Sequence, residues 1–205
     1  MLVKDIMQKT QVIPVLVINK IEDAIPLAKA LVEGGLNVLE ITLRTPIAIE
    51  AIKEIKQVLP NALVGSGTVI NPSTLNDSLN AGVDFIVSPG TSPELLAEVH
   101  NTSAPLLPGA STPSEVMNLM AQGFNAMKFF PAEAAGGVNM LKSIGGPLPQ
   151  VTFCPTGGIN LNNAEKYLAL NNVACVGGTW MLNKKLIEQK HWSEITRLAE
   201  QASQL

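Results

Sequence analysis

The stretch Ala126-Met-Lys-Phe-Phe-Pro-Ala-Glu133 predicts a short buried β-strand that carries a single charge, Lys128. Apolar residues flank the lysine on both sides, and Pro131 ends the strand because proline cannot donate to a sheet ladder. Burial favours the neutral amine over the ammonium ion, and a neutral amine can condense with a ketone to form an iminium ion. Two structural alternatives stay open: the side chain extends out from a strand end, or it pairs with a core carboxylate.

The same pattern of an apolar strand followed by a helical segment repeats along the whole chain. Continuous runs of Val, Ile and Leu are typical of strands that are buried on both faces. The predicted strands span residues 12–18, 38–43, 62–68, 85–88, 104–107, 126–130, 151–154 and 173–176. The predicted helices span residues 2–9, 22–33, 46–58, 72–82, 93–100, 113–122, 138–144, 161–170 and 183 to near the C-terminus.

Eight strand–helix units in one chain predict a parallel sheet with helices packed over it. Eight such units close into a barrel. We therefore predict an α/β fold, a (β/α)8 TIM barrel with a short N-terminal helix, as one domain over residues 1–205. A doubly wound open sheet is the alternative. In a barrel the functional site lies at the C-terminal ends of the strands. We therefore expect the polar residues at those ends to form one site, however far apart they are in sequence.

The composition excludes several classes of protein. Apolar residues make up 46% and charged residues 15%, which is typical of a compact globular chain. The net charge of −3 gives no reason to expect a nucleic acid or an anionic membrane as partner. We expect a cytoplasmic protein, because no apolar run approaches the roughly 20 residues of a membrane span and no secretory signal is apparent. Cys154 and Cys175 are predicted to be buried thiols, with a disulfide or metal role as the alternative.

Alternation along the second predicted strand places Glu40, Thr42 and Arg44 on one face. This face is predicted to point into the barrel, where charges are costly unless each has a partner. In one interpretation, Glu40 carries protons and Arg44 binds a substrate carboxylate. In the other, these residues pair with each other or with Lys128 as a structural ion network.

Two turns with paired glycines follow the last two predicted strands. They are Cys154-Pro-Thr-Gly-Gly-Ile159 and Val176-Gly-Gly-Thr-Trp180. Exposed N–H groups at such turns bind anions, and barrels often hold a phosphate with these loops, so we predict a phosphate site. Ordinary tight turns are the alternative. His100 and His191 are predicted on helix surfaces, and since no His/Asp/Glu cluster has the spacing of metal ligands, no metal is expected.

Four motifs make the chain similar to a known family. They are Leu39-Glu-Ile-Thr-Leu-Arg-Thr45, Gly65-Ser-Gly-Thr-Val69, Lys128-Phe-Phe-Pro-Ala-Glu133 and Phe153-Cys-Pro-Thr-Gly-Gly-Ile159. They resemble the bacterial KDPG/KHG aldolases, which act on 2-dehydro-3-deoxy-6-phosphogluconate and 4-hydroxy-2-oxoglutarate. The resemblance implies a class I aldolase of the Entner–Doudoroff pathway, a metal-free enzyme on a (β/α)8 barrel, usually a homotrimer. It implies no cofactor beyond a covalent Schiff base on lysine.

The resemblance also implies a role for each matched residue on the pyruvate side of the substrate. Lys128 would form the Schiff base, and Glu40 would be the acid–base residue. Arg44 and Thr68 would bind the pyruvate carboxylate. Other residues implied to line the pocket are Pro89 and Phe130.

The phosphate side carries both matches and departures. The residues that the resemblance implies there are Thr156, Gly157, Gly158, Gly177, Gly178 and Thr179. Serine is common in the family where Thr179 stands, and some members carry an arginine near the end of the first strand, where this chain has Ile18-Asn-Lys20. Glu133 falls within a motif but beyond the strand end, so we interpret it as a loop or helix-start residue and not as the proton carrier.

Three other functions stay open on the sequence. One is an aldolase for 2-dehydro-3-deoxy-6-phosphogalactonate, which shares the pyruvate half of the substrate. Another is an isomerase or epimerase of a sugar phosphate, and the third is a non-catalytic barrel that binds a phosphorylated ligand. Under each of them the expected partner is a small molecule, and for the aldolases it is a 2-keto acid.

Overall fold

The computed structural model describes residues 2–102 and 105–205, so Ala104 of the fifth predicted strand lies outside the described residues. The strands are β1 (Val12–Leu16), β2 (Val38–Thr42), β3 (Leu63–Gly67), β4 (Phe85–Val87), β5 (Leu106–Leu107), β6 (Gly109–Ala110), β7 (Ala126–Phe129), β8 (Thr152–Pro155) and β9 (Val176–Gly178). The helices are α1 (Val3–Met7), α2 (Ile21–Glu33), α3 (Ala48–Val58), α4 (Pro72–Asn80), α5 (Pro93–Val99), α6 (Pro113–Ala121), α7 (Gly137–Gly145), α8 (Ala164–Leu168), α9 (Lys184–Glu188) and α10 (Trp192–Ser203).

The strands pair in parallel and in the order of a barrel. One sheet has the order β5-β4-β3-β2-β1-β9, and a second has the order β6-β7-β8. Pairing of the first strand with the last is a barrel feature, and it excludes the doubly wound alternative, in which the sheet stays open. The predicted α/β fold with a curled parallel sheet is therefore confirmed.

The ring of strands is less regular than predicted at two positions. Pro108 divides the fifth strand into β5 and β6, because proline has no N–H for the ladder. The last strand begins at Val176 and not at residue 173, and isolated bridges, Phe153 to Val173 and Thr156 to Gly177, connect β8 with the segment around β9. The predicted bounds of the fifth and eighth strands, 104–107 and 173–176, were therefore wrong.

The helix starts follow from local sequence. The helices α4, α5 and α6 each begin with proline, and the preceding Asn71, Ser92 and Thr112 accept N–H bonds of the first turn. The predicted C-terminal helix is divided into α9 and α10, since Lys190 between them has a left-handed φ of 55°. Every helix in the described part of the chain is too short or too polar to traverse a lipid bilayer.

The short helix α1 seals the end of the barrel at which the strands begin. Its residues Ile6 and Met7 are fully buried. They pack with residues of the barrel interior, which are Ile13, Val38, Phe85, Val87, Leu107, Ala126, Cys154 and Cys175. Both cysteines are buried free thiols, as predicted. Hydrogen bonding to Cys154, together with burial, raises the pKa of the Cys175 thiol, so it stays protonated.

Replacing Met7 with alanine tests whether α1 is part of the folded core. We expect the free energy of unfolding to fall by about 2–5 kcal/mol, because the change leaves a cavity among apolar side chains. Leu2→Ala is the matched control, since Leu2 is 73% exposed and its loss should cost under about 0.5 kcal/mol. Urea denaturation measures both values, and similar stabilities of the two variants would contradict the role given to α1.

Candidate active site

Lys128 and Glu40 meet inside the barrel. Lys128 lies on β7 and Glu40 on β2, and the lysine Nζ is 3.2 Å from the glutamate Oε1. The two side chains are 5% and 4% exposed. The alternative in which the lysine extends into solvent is therefore wrong. A carboxylate partner so close to the amine, away from water, interacts with it much more strongly than a surface pair would.

Small and aromatic neighbours shape the space around this pair. A Cβ at Gly67 would lie 2.2 Å from Oε1 of Glu40, so only glycine at this position leaves room for the carboxylate. On another side, Nζ of Lys128 is 5.4 Å from the ring centroid of Phe130, within cation–π range. Pro89 is half-buried at the end of β4, and its carbonyl packs against Gly109, the strand neighbour of Lys128.

Arg44 and Thr68 form a second polar pair where β2 and β3 end. The Nε atom of Arg44 donates to Oγ1 of Thr68 at 3.1 Å. Arg44 was predicted on the inward face of the strand, but β2 ends at Thr42, and Arg44 lies exposed beyond it. Thr42 itself is buried and donates to the Leu16 carbonyl. Among the described residues no acceptor takes the terminal guanidinium N–H groups of Arg44, so they are available to an anionic ligand.

Thr68 has a backbone conformation that its sequence does not predict. Its φ is 61°, in the left-handed region that a β-branched residue rarely adopts. Such conformations cost about 1–3 kcal/mol and are concentrated at functional sites. This geometry places its hydroxyl within reach of Arg44.

The two predicted phosphate turns lie side by side, because Thr156 and Gly177 form a parallel bridge. Gly157 and Gly158 have φ values of 104° and 79°, which explains why glycine occupies both positions. The Gly157 N–H faces the Gly177 carbonyl across this bridge, while the N–H groups of Gly158 and Ile159 donate to no acceptor in the described part of the protein. Free N–H groups that converge in a turn form an anion-binding site.

Gly177 and Gly178 need to be glycine for another reason. They belong to β9, and their conformation is open to other residues. A Cβ at Gly177 would lie 2.3 Å from Oγ1 of Thr156, and one at Gly178 would lie 1.8 Å from the ring of Trp180. Thr179 follows them and is exposed at the strand end. Packing therefore explains the glycines of the second turn, whereas backbone conformation explains those of the first. The sequence pattern did not distinguish these two causes.

A cavity of ≈ 460 Å³ adjoins Thr179 between the end of β1, α2 and α9. Lys20 and Lys184 line it, together with the carboxylates Asp23 and Glu188. Val15, the strand partner of Glu40, also lines the cavity. The cavity therefore reaches the strand next to the Lys128–Glu40 pair. The two lysines and two carboxylates balance in charge, and Nζ of Lys184 is 3.7 Å from Oε1 of Glu188.

The remaining sequence predictions concern metals, histidines and Glu133. No three His, Cys, Asp or Glu side chains within residues 2–102 and 105–205 are grouped to hold a metal ion. Both histidines are exposed, but they lie at helix ends: His100 is the C-cap of α5, and His191 is the N-cap of α10. Glu133 lies between β7 and α7, and its carboxylate accepts a hydrogen bond from Tyr167. We did not predict this contact from the sequence. The only sequence feature that pointed to Tyr167 was that it is the single tyrosine of the chain.

An amine and a carboxylate enclosed together where parallel strands end can form a covalent adduct with a carbonyl compound and move protons on it. Residues 3–198 match the family model described as KDPG and KHG aldolase. Among curated relatives, 2-dehydro-3-deoxy-phosphogluconate aldolase of Dickeya dadantii (strain 3937) is 51% identical over 191 residues, which cover 93% of this chain and 90% of that protein. KHG/KDPG aldolase of Escherichia coli (strain K12) is 49% identical with the same coverage.

A solved structure agrees with these matches. KDPG aldolase from Legionella pneumophila superposes with a TM-score of 0.96 at 50% identity, covering 98% of this chain and 97% of that one. It holds pyruvate captured at low pH as a covalent carbinolamine intermediate. The chain belongs to the KDPG and KHG aldolase family, whose members are carbon–carbon lyases. The family and enzyme class predicted from the sequence are confirmed.

Replacing Gly67 with alanine tests the position of Glu40 without altering either member of the pair. The new Cβ would overlap the carboxylate, so we expect Glu40 to move and kcat for carbon–carbon cleavage to fall by about 10²-fold or more, the contribution of a placed acid–base group. Gly146→Ala is the control, because the nearest atom to its Cβ is 3.7 Å away. Wild-type kcat in Gly67→Ala would show that the position of Glu40 is unimportant.

Proposed function

We propose that this protein is a class I aldolase that works through a Schiff base on Lys128. Its substrates are 2-dehydro-3-deoxy-6-phosphogluconate, cleaved to pyruvate and glyceraldehyde 3-phosphate, and 4-hydroxy-2-oxoglutarate, cleaved to pyruvate and glyoxylate. The observation that carries the proposal is the buried contact of 3.2 Å between Lys128 Nζ and Glu40 Oε1. The names of the relatives and the covalent pyruvate of the Legionella enzyme support it.

The first step is formation of the iminium ion. Glu40 accepts a proton from the lysine ammonium group, which frees the amine to attack C2 of the substrate. The resulting carbinolamine loses its hydroxyl group as water once Glu40 returns the proton to it. A carboxylate held beside the amine can perform both transfers without a second residue.

Cleavage of the C3–C4 bond follows. Glu40, through a water molecule, removes the proton from the C4 hydroxyl, the bond breaks, and its electron pair moves to the iminium nitrogen to give an enamine. The aldehyde half leaves. Glu40 then delivers the proton to C3, and water hydrolyses the pyruvyl iminium to release pyruvate and regenerate the amine. This chemistry needs no metal, because the protonated nitrogen is the electron sink.

The charged ends of the substrate are bound at opposite sides of the barrel opening. The guanidinium of Arg44 and the hydroxyl of Thr68, already joined at 3.1 Å, bind the pyruvate carboxylate. Thr156, Gly157, Gly158 and Thr179 bind the phosphate, through free N–H groups and hydroxyls.

The alternative functions do not account for the buried Lys128–Glu40 pair as well as an aldolase does. An isomerase or an epimerase would use the carboxylate as a base but needs no lysine nucleophile, and a non-catalytic barrel needs neither group. The phosphogalactonate aldolase would share the pyruvate chemistry and differ at C4 of the substrate. We further infer that residues 1–205 act as one domain, that the enzyme assembles as a homotrimer, as the family resemblance implies, and that it works in the cytoplasm, where its buried thiols stay reduced.

Trapping of pyruvate with borohydride tests the nucleophile. We expect the wild-type protein to gain the mass of one reduced pyruvyl group, because hydride converts the iminium into a stable secondary amine. Lys128→Met should gain nothing, while Lys142→Met, which alters an exposed lysine on α7, should behave like the wild type. Mass spectrometry of the intact protein gives the result. A folded Lys128→Met variant that still acquires the adduct would exclude Lys128 as the nucleophile.

A further inference from the structure

The turn at residues 156–158 is held from outside by groups that the proposed chemistry does not use. The Glu133 N–H donates to the Gly157 carbonyl at 3.1 Å. The Gly158 carbonyl accepts hydrogen bonds from the side-chain amides of Asn160 and Asn163, at 3.3 and 3.1 Å. Both glycine carbonyls are therefore occupied by protein donors, which leaves the N–H groups of the turn as the groups available to a ligand.

The side chain of Glu133 also packs directly against the turn. A Cβ at Gly158 would lie 2.6 Å from Cγ of Glu133, so the two residues are in close contact. The carboxylate Oε1 accepts a hydrogen bond from the hydroxyl of Tyr167, whose side chain is anchored in the core at 1% exposure. Gly137, at the start of α7, leaves room for this bond, since a Cβ there would lie 3.0 Å from the tyrosine hydroxyl.

The bond between Tyr167 and Glu133 has an electrostatic consequence. Burial and the neighbouring Glu133 carboxyl raise the pKa of Tyr167, so its hydroxyl keeps its proton and remains a donor. A carboxylate free to swing beside an anion-binding turn would repel a phosphate group. The tyrosine hydroxyl ties that carboxylate to α8 and so limits this repulsion.

We propose that Glu133 and Tyr167 are positioning residues that hold Gly157 and Gly158 in the phosphate-binding conformation, and thereby set the preference for phosphorylated substrates. The inference rests on the proposed function and adds two residues to it. They act through the turn, and the Lys128–Glu40 chemistry does not depend on them. Their removal should therefore affect substrates with a phosphate and spare substrates without one.

The test compares two substrates across a small set of variants. Tyr167→Phe removes only the hydroxyl, and we expect KM for 2-dehydro-3-deoxy-6-phosphogluconate to rise about tenfold, the equivalent of one hydrogen bond to a charged group. KM for 4-hydroxy-2-oxoglutarate should stay at the wild-type value. Glu133→Ala loses the same contact but leaves no carboxylate to repel the phosphate, so KM should rise by the same factor or less. The double variant should be no worse than Tyr167→Phe, because the residues act as one unit.

Two further variants separate positioning from a general structural effect. Glu133→Gln keeps an acceptor for the tyrosine hydroxyl, so it should hold KM for the phosphorylated substrate near the wild-type value. Glu165→Gln alters an exposed carboxylate on the same helix as Tyr167 and should change nothing. An equal rise of KM for both substrates, an unchanged KM in Tyr167→Phe and Glu133→Ala, or additive losses in the double variant would each overturn the proposal.

The wild-type protein distinguishes this inference from the function on which it rests. If the wild type traps pyruvate and cleaves both substrates, the variants decide the roles of Glu133 and Tyr167 alone. If it neither traps pyruvate nor cleaves either substrate, the proposed function is refuted before any variant is compared, and this inference is refuted with it.

Discussion

The structure depends on one contact, the buried pair of Lys128 and Glu40. The two residues are 88 positions apart in sequence, and their strands, β7 and β2, lie on opposite sides of the ring. Taking an ammonium and a carboxylate out of water costs several kcal/mol for each ion, which only a close partner offsets. The pair therefore requires the parallel strands to curl until the two sides of the sheet face each other, and the barrel provides this arrangement.

The interior of the barrel is divided into two levels with different tasks. At the level where the strands begin, α1 and residues such as Ile13, Phe85 and Cys154 form an apolar cluster that contributes stability. Further along the strands, the space that bulky side chains fill in most barrels is left open by glycines, of which Gly67 is the clearest case. Polar side chains occupy that space, so the chemistry takes place above a conventional hydrophobic core.

The features that could be predicted from the sequence are those determined by residues close together in the chain. The burial of Lys128 followed from its apolar neighbours, and the tight turn after β8 followed from Gly157 and Gly158, because these signals lie within a few residues. Arg44 was misplaced on its strand, since only the pairing of β2 with β3 determines where β2 ends. The packing of Gly67 against Glu40 and the bond between Glu133 and Tyr167 were missed, because each joins residues more than 25 positions apart and requires coordinates.

Exchange of the methyl protons of pyruvate for deuterium measures most directly whether the central pair works as a unit. In D₂O, the wild-type protein should convert bound pyruvate to its enamine and back, so that the methyl signal in a proton NMR spectrum declines without any aldehyde present. We expect Glu40→Gln to exchange at least about 10²-fold more slowly, because Glu40 carries protons both when the iminium ion forms and at C3. Undiminished exchange in Glu40→Gln would contradict this role of Glu40, since another group would then be moving the proton.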